Sequence, residues 1–365
     1  MSDERSVAVE RVQWLKALFP GGVPALWCPP VTHYDRDGAI DGARIAAHLR
    51  HLSPYVKGFL IPGSTGDGWE LSEAEFRQLL EIALDLTQEL DLHLLIGILK
   101  SDAAAALKSL RETVSWIEAR AGQGNDQSLS RPAGPAAAAF AASALGKARV
   151  CGFAVCAPRG REVSQEEMGA ALASILEAGL PTALYQLPQM TQNEVSPEVA
   201  SSLALRFPNF VLFKDSSGAD RVVLSGKPLA GVFTMRGGES DYAGVLKSAG
   251  GHYDGFLLGS ANCFARELDQ LINDVSAKRF DPARQMSERL AAVAGEVYRV
   301  VTSRTNGIAF GIANKAIDHF FAYGPRAAET PPPRLHGGKR MPVEVIRRTG
   351  EILSRHGLLP AKGYL

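Results

Sequence analysis

The chain has 365 residues, 46% of them hydrophobic, which supplies a large core and excludes a globally disordered chain. Lysine plus arginine and aspartate plus glutamate each total 39, so no bulk charge is available to hold a nucleic acid or an anionic membrane. No apolar stretch reaches the roughly 20 residues that span a bilayer, and the charged opening "MSDERSVAVERVQWLKALFPGG" lacks the apolar segment of a signal peptide. Four cysteines (Cys28, Cys151, Cys156, Cys263) lie far apart or within apolar runs and show no metal-ligand spacing. They are expected to be reduced, mostly buried thiols of a cytoplasmic protein. Cys28 and Cys263 meet if the first and last strands are neighbours, but no functional disulfide is expected.

After an N-terminal extension (residues 1–21), short apolar runs alternate with helical stretches. The runs are "VPALWCPPV" (23–31), "GFLIPG" (58–63), "HLLIGIL" (93–99), "GFAVCAP" (152–158), "TALYQLP" (182–188), "FVLFKDSS" (210–217), "VFTMRGG" (232–238) and "GFLLGSA" (255–261). Their apolar character is continuous, as in parallel strands covered on both faces. Between them, "SEAEFRQLLEIALDLTQEL" and "SQEEMGAALASILEAG" have helical spacing, and Ser72 with Glu75 and Ser164 with Glu167 form capping-box patterns. This alternation predicts a (β/α)8 barrel over 22–279. The competing doubly wound sheet lacks a dinucleotide-type glycine fingerprint after its first strand. Residues 119–149 lengthen the connection before strand four, as a surface loop followed by an Ala-rich helix. Residues 280–365 are expected to form a helical appendage, interrupted by an extended linker, "TPPPRLHGGKRMP" (330–342).

In a barrel of this kind the strands' C-terminal ends form the active face. The residues there are Ser64 and Thr65, Lys100, Arg159, Tyr185, Lys214 and Glu239. Lys214 alternates with Phe210 and Leu212, so an inward strand face carries its amine inward. Burial of a lysine disfavours the ammonium, and bringing its pKa from about 10.4 to about 7 costs roughly 4–5 kcal/mol, within reach of desolvation. The neutral amine attacks ketones and forms a Schiff base. A lysine that snorkels out or pairs with an acid is an equal reading of the strand alone. Lys100 is the rival nucleophile, though it begins the polar loop "KSD". Tyr185, on the neighbouring strand, offers a phenol for proton transfer, or is an interfacial core tyrosine. In "GSTGDGWELSEAEF" (63–76), Gly63, Gly66 and Gly68 allow backbone N–H groups to converge on an anion, with Ser64 and Thr65 adding hydroxyls. The stretch lacks the lysine of a P-loop, so it suits a small carboxylate better than a nucleotide.

The stretches "GVPALWCPPVTHYDRDGAID", "GFLIPGSTGDGWELSEAE", "LPTALYQLPQMTQNEVSPE" and "FVLFKDSSGAD", with the weaker "GFLLGSANCFA", together resemble the dihydrodipicolinate synthase/N-acetylneuraminate lyase family of class I aldolases. They occur in family order over roughly residues 22 to 265. The resemblance implies that Lys214 is the Schiff-base lysine and Tyr185 the proton-relaying tyrosine of a Tyr-x-x-Pro motif. It implies that Ser64 and Thr65 bind the 2-keto acid carboxylate, with Ser64 also in the relay, and that Leu257 lines the pyruvate pocket. It further implies no metal, no organic cofactor and a homotetramer.

Departures narrow the substrate. Met190 stands where the synthases carry an arginine that grips the aldehyde partner, and Gln186 and Gln192 replace an asparagine and a glycine. Arg159 and Gly160 occupy the places of two tyrosines, the second of which completes the relay from a neighbouring subunit. Arg159 or Arg161 can hold a substrate carboxylate or sugar-acid group, or be a solvated loop residue. The leading expectation is a lyase acting on pyruvate or a 2-keto(-3-deoxy) acid, by aldol cleavage or condensation or by dehydration. The alternatives are 4-hydroxy-tetrahydrodipicolinate synthesis from pyruvate and aspartate semialdehyde, which Met190 and Gly160 disfavour, and a non-catalytic keto-acid-binding barrel, which Lys214 and Tyr185 argue against.

Overall fold

The computed structural model describes residues 2–122, 136–305 and 308–365. Each apolar run holds one strand, β4 starting two residues ahead of its run: β1 Leu26–Cys28, β2 Gly58–Ile61, β3 His93–Ile98, β4 Val150–Val155, β5 Thr182–Gln186, β6 Phe210–Asp215, β7 Phe233–Arg236 and β8 Gly255–Leu257. The eight close in chain order into a parallel barrel surrounded by helices, the (β/α)8 architecture anticipated from the alternation. Apart from His93 and Phe233 at strand starts, every strand residue is buried, which is why these runs show no polar alternation. Both capping boxes form, at Ser72 before helix Glu73–Glu89 and at Ser164 before helix Gln165–Leu176.

Packing divides the chain into two compact units. The first comprises Met1–Pro24, His93–Gly238 and His252–Phe256. Within it the N-terminal segment, read above as an extension, is a helix, Ser2–Leu18. Its Arg11 is fully buried and donates to the carbonyls of Phe210 (2.7 Å), Phe207 (2.8 Å), Ala204 and Ala230. Trp14 meets Phe140 edge-on at 5.8 Å. Of the long connection before β4, residues 123–135 lie outside the described residues. The Ala-rich remainder is two short helices, Ala136–Ala142 and Ala144–Lys147, because Ser143 breaks the run and caps the second.

The second unit comprises Ala25–Leu92, Glu239–Gly251 and Leu257–Leu365. Its helix Ala309–Tyr323 is more than an appendage: residues 311–320 are all buried, although Asn314, Lys315, Asp318 and His319 are polar. A side chain at Gly311 would meet the Thr65 carbonyl at 2.9 Å, so the helix lies directly against the turn that follows β2. The stretch 330–342 is a tight turn, in place of the extended linker expected. Arg334 and Arg340 form an antiparallel bridge, and Leu335 N–H donates to Lys339 O at 2.8 Å. Gly337 (φ 80°) and Gly338 (φ 83°) supply the left-handed backbone that such a turn requires.

Candidate active site

Alternation along β6 sends Phe210, Leu212 and Lys214 to one face and Asp215 to the other. Lys214 is 4% exposed, and its strand neighbours in register are Tyr185 on β5, also 4% exposed, and Met235 on β7, fully buried. The Lys214 Nζ lies 3.9 Å from the centroid of the Tyr185 ring. Beyond Met235, a Cβ on Gly237 would lie 3.1 Å from Lys214 Cε and 2.0 Å from Ser216 Oγ. The absence of a side chain at Gly237 therefore makes the room in which the lysine stem lies. The Cys156 thiol, just past β4, is pushed up to about 12 by burial, against an opposing pull from the charge of Lys214. All four cysteines are buried, and none is in a disulfide.

The turn after Lys214 is pinned from the other strand face by residues that the motif reading passed over. Asp215 is fully buried, and burial raises its pKa. It accepts from Ser217 N–H at 2.8 Å and from the Tyr253 hydroxyl at 3.4 Å. Tyr253 also donates to Asp220 at 2.8 Å, and Arg236 pairs with Asp220 at 3.1 Å. This network ties the ends of β6 and β7 to one loop and so fixes where the lysine emerges. The signal was the two acids in "KDSSGAD" together with a charged residue closing "VFTMR".

In the second unit, Ser64 and Thr65 lie in a single turn, Ser64–Gly66, and both are buried. Ser64 Oγ accepts the Trp69 indole N–H at 2.8 Å. The expected anion nest is corrected here: the Gly66 and Gly68 amides both donate to Gly63 O at 3.0 Å and so close the turn on itself. Gly66 is instead needed for packing, since a side chain there would meet Pro30 O at 2.5 Å. The space at Gly259, just past β8 and the buried Leu257, is bounded by Asn314 Nδ2 (2.8 Å from a Cβ placed there), Glu239 Oε1 (3.2 Å) and Thr65 Oγ1 (3.5 Å). Glu239 is itself fixed by the Tyr242 hydroxyl at 2.8 Å and Ser260 N–H at 2.9 Å. Asn314, from the C-terminal region, carried no signal in the strand-end survey because it lies on a helix.

Of the remaining candidates, Lys100 lies two residues past the end of β3 and is half-buried. The Arg159 backbone N–H donates to Ser101 O at 2.8 Å, and its guanidinium has no partner among the described residues. Gly160 is held by Thr191 O and by the Asn193 side-chain amide. Among the described residues one group has metal-ligand spacing, His33, His48 and Asp318, but Arg44 lies 2.6 Å from the Asp318 carboxylate and takes the place a cation would need. No helix among them is long and apolar enough to cross a membrane.

A family model described as the dihydrodipicolinate synthetase family matches residues 136–308. The chain is 26% identical over 208 residues to the 4-hydroxy-tetrahydrodipicolinate synthase of Hyphomonas neptunium, spanning 56% of this chain and 58% of that relative. The barrel superposes on dihydrodipicolinate synthase of Thermotoga maritima with a TM-score of 0.67 at 17% identity, covering 92% of this chain and 99% of that one. It superposes equally on a 2-keto-3-deoxygluconate aldolase variant of Sulfolobus solfataricus, with a TM-score of 0.67 at 16% identity over 92% and 96% of the two chains. On a closed eight-stranded barrel, the chain is thus similar to the dihydrodipicolinate synthetase family over residues 136–308.

Proposed function

We propose that the chain is a Schiff-base-forming lyase acting on pyruvate or a 2-keto(-3-deoxy) acid. The observation that carries this reading is the buried Lys214 amine at the end of β6, 3.9 Å from the Tyr185 ring and backed by Gly237. A lysine is costly to bury, and this one has its stem accommodated by a missing side chain and its head over an aromatic face. In the reaction, the neutral amine adds to the keto carbon, giving a carbinolamine that loses water to a protonated imine. The imine draws in the electron pair of the neighbouring C–C bond when a base removes the proton of the hydroxyl beyond it. Cleavage releases that carbon as an aldehyde and leaves an enamine, which is protonated at carbon and hydrolysed to release the keto acid and the free lysine. In a dehydratase the same imine makes the adjacent C–H acidic, and hydroxide leaves as water after protonation. Tyr185 is assigned the proton transfers. The Thr65 and Ser64 hydroxyls are assigned the substrate carboxylate, and Leu257 an apolar wall.

Arg159, whose guanidinium is unpaired among the described residues, is assigned the far end of an acidic substrate. Synthesis of 4-hydroxy-tetrahydrodipicolinate is the second reading, supported by the name of the Hyphomonas relative. Met190 opposes it, because a thioether cannot grip the carboxylate of aspartate semialdehyde. Sodium borohydride reduction in the presence of pyruvate, followed by peptide mass mapping, tests the proposal. A stable adduct on Lys214 that is absent from Lys214→Ala is expected. Trapping at Lys100, or no trapping with any 2-keto acid, overturns it.

A further inference from the structure

We propose that a cavity in the second unit, walled by the 33–41 loop, helix Ala309–Tyr323 and the 331–340 turn, is a binding site for a small phosphoryl dianion. The cavity has a volume of about 200 Å³, several times the roughly 30 Å³ share of one water. Five of its lining side chains are lysine or arginine and three are aspartate, and Asp67 and Asp37 pair with the lining Lys315 and Arg36.

The carboxylates are already engaged. Asp35 accepts the Asp37 and Ala39 amides of its own loop, and Asp41 caps helix Gly42–Leu52. Asp318 holds Arg44 at 2.6 Å and the Tyr364 hydroxyl at 2.7 Å. Lys315 is likewise engaged, by Asp67 at 2.7 Å.

Arg334 and Arg340 are different. Each donates to a backbone carbonyl, Gly338 O and Pro332 O respectively, and neither has a carboxylate partner among the described residues. The Arg334 Nε–H is buried with no acceptor, a state that costs about 1–3 kcal/mol unless a ligand supplies the oxygen. The lining histidines do not add charge, because burial, reinforced at His33 by Arg44, lowers the pKa of both His33 and His319. Guanidinium forks suit oxyanions, and two arginines without carboxylate partners match a phosphate monoester or inorganic phosphate, at about −1.5 to −2, better than a single carboxylate.

This site is independent of the Lys214 chemistry, and its test is designed to keep the two apart. Equilibrium dialysis of the full chain against radiolabelled inorganic phosphate at low ionic strength should show one saturable site. Arg340, being exposed, is replaced without disturbing packing, so Arg340→Gln should weaken uptake by tenfold or more, and Arg334→Gln/Arg340→Gln should abolish it while the circular dichroism of the chain is retained. Lys214→Ala should bind phosphate as the parent does, and pyruvate should not displace it. Absence of saturable uptake up to about 10 mM, uptake unchanged in Arg340→Gln, or loss of uptake in Lys214→Ala overturns the assignment.

Discussion

The Lys214 amine faces the Tyr185 ring at 3.9 Å from its centroid, and the two residues are paired in register on adjacent strands. The ring face and the phenolic oxygen of one tyrosine therefore have separable duties: the face sits against the amine, and the oxygen is the group assigned to proton transfer. Tyr185→Phe keeps the first and removes the second. We expect this variant to be trapped by borohydride with pyruvate as readily as the parent, while kcat falls roughly 10²–10⁴-fold, the range of a lost general acid–base group. Lys214→Ala should lose both trapping and turnover. Parental turnover in Tyr185→Phe would remove the proton-transfer assignment.

Gly237 provides a second test, of position and not of chemistry. A Cβ there is blocked first by Ser216 Oγ at 2.0 Å and then by Lys214 Cε at 3.1 Å, so Gly237→Ala must displace one of them. Displacement of a reacting group by about 1 Å can cost on the order of 10²-fold in rate. We expect Gly237→Ala to slow imine formation by about that factor, and Ser216→Gly in the same background to restore a large part of it by removing the nearer obstacle. Stopped-flow measurement of imine formation reads both steps. An undiminished rate in Gly237→Ala would mean that the lysine stem does not depend on this gap.

Arg11 links the N-terminal helix to the strand that carries the lysine. Burial pulls its pKa down to about 10, which still leaves it charged at neutral pH, and its four acceptors are backbone carbonyls, one of them Phe210 O at the start of β6. Arg11→Met keeps the apolar stem and leaves those carbonyls without their donor, which should lower stability by about 1–3 kcal/mol in urea titrations. Lys214 lies at the far end of β6, so the folded variant should still form the imine at the parental rate. A slower imine with unchanged stability would reverse this division of roles.

The barrel was legible because parallel strands buried on both faces leave continuous apolar runs, and all eight runs hold a strand. Lys214 and Tyr185 were legible because a charge or a phenol at the end of such a run is conspicuous. What was not legible lies where local pattern and tertiary packing part. The turn at 63–68 has the composition of an anion nest, yet its glycine amides bond to Gly63 O, a choice made by backbone geometry that glycine content does not specify. The helix Ala309–Tyr323, expected only as part of a helical appendage, carries four polar residues within its buried stretch, and the partners of Lys315 and Asp318 (Asp67, Arg44 and Tyr364) come from distant parts of the sequence. The same holds for Arg11, which sits in a charged N-terminal segment with nothing to mark it as buried.

Asp318 supplies a prediction in pH. Burial alone would raise its pKa, but the Arg44 guanidinium, 2.6 Å away, holds it well below the usual carboxylate value. A carboxyl whose folded pKa lies below its unfolded value of about 3.9 contributes stability that is complete above that pH and is lost as pH falls through the folded value. Removing it at neutral pH leaves Arg44 buried beside neutral histidines without its counter-charge, a loss of about 3–5 kcal/mol. Asp318→Asn should therefore be less stable than the parent by that amount near about pH 7, with the gap closing only below about pH 4. His33 and His48 act in the other direction: burial lowers their folded pKa, so the unfolded chain binds the extra protons, and the parent should begin to lose stability below about pH 6.5. Urea titrations of both proteins across this range read the two windows separately. A parent–variant gap already closing at about pH 6 would place the Asp318 ion pair outside the account given for it.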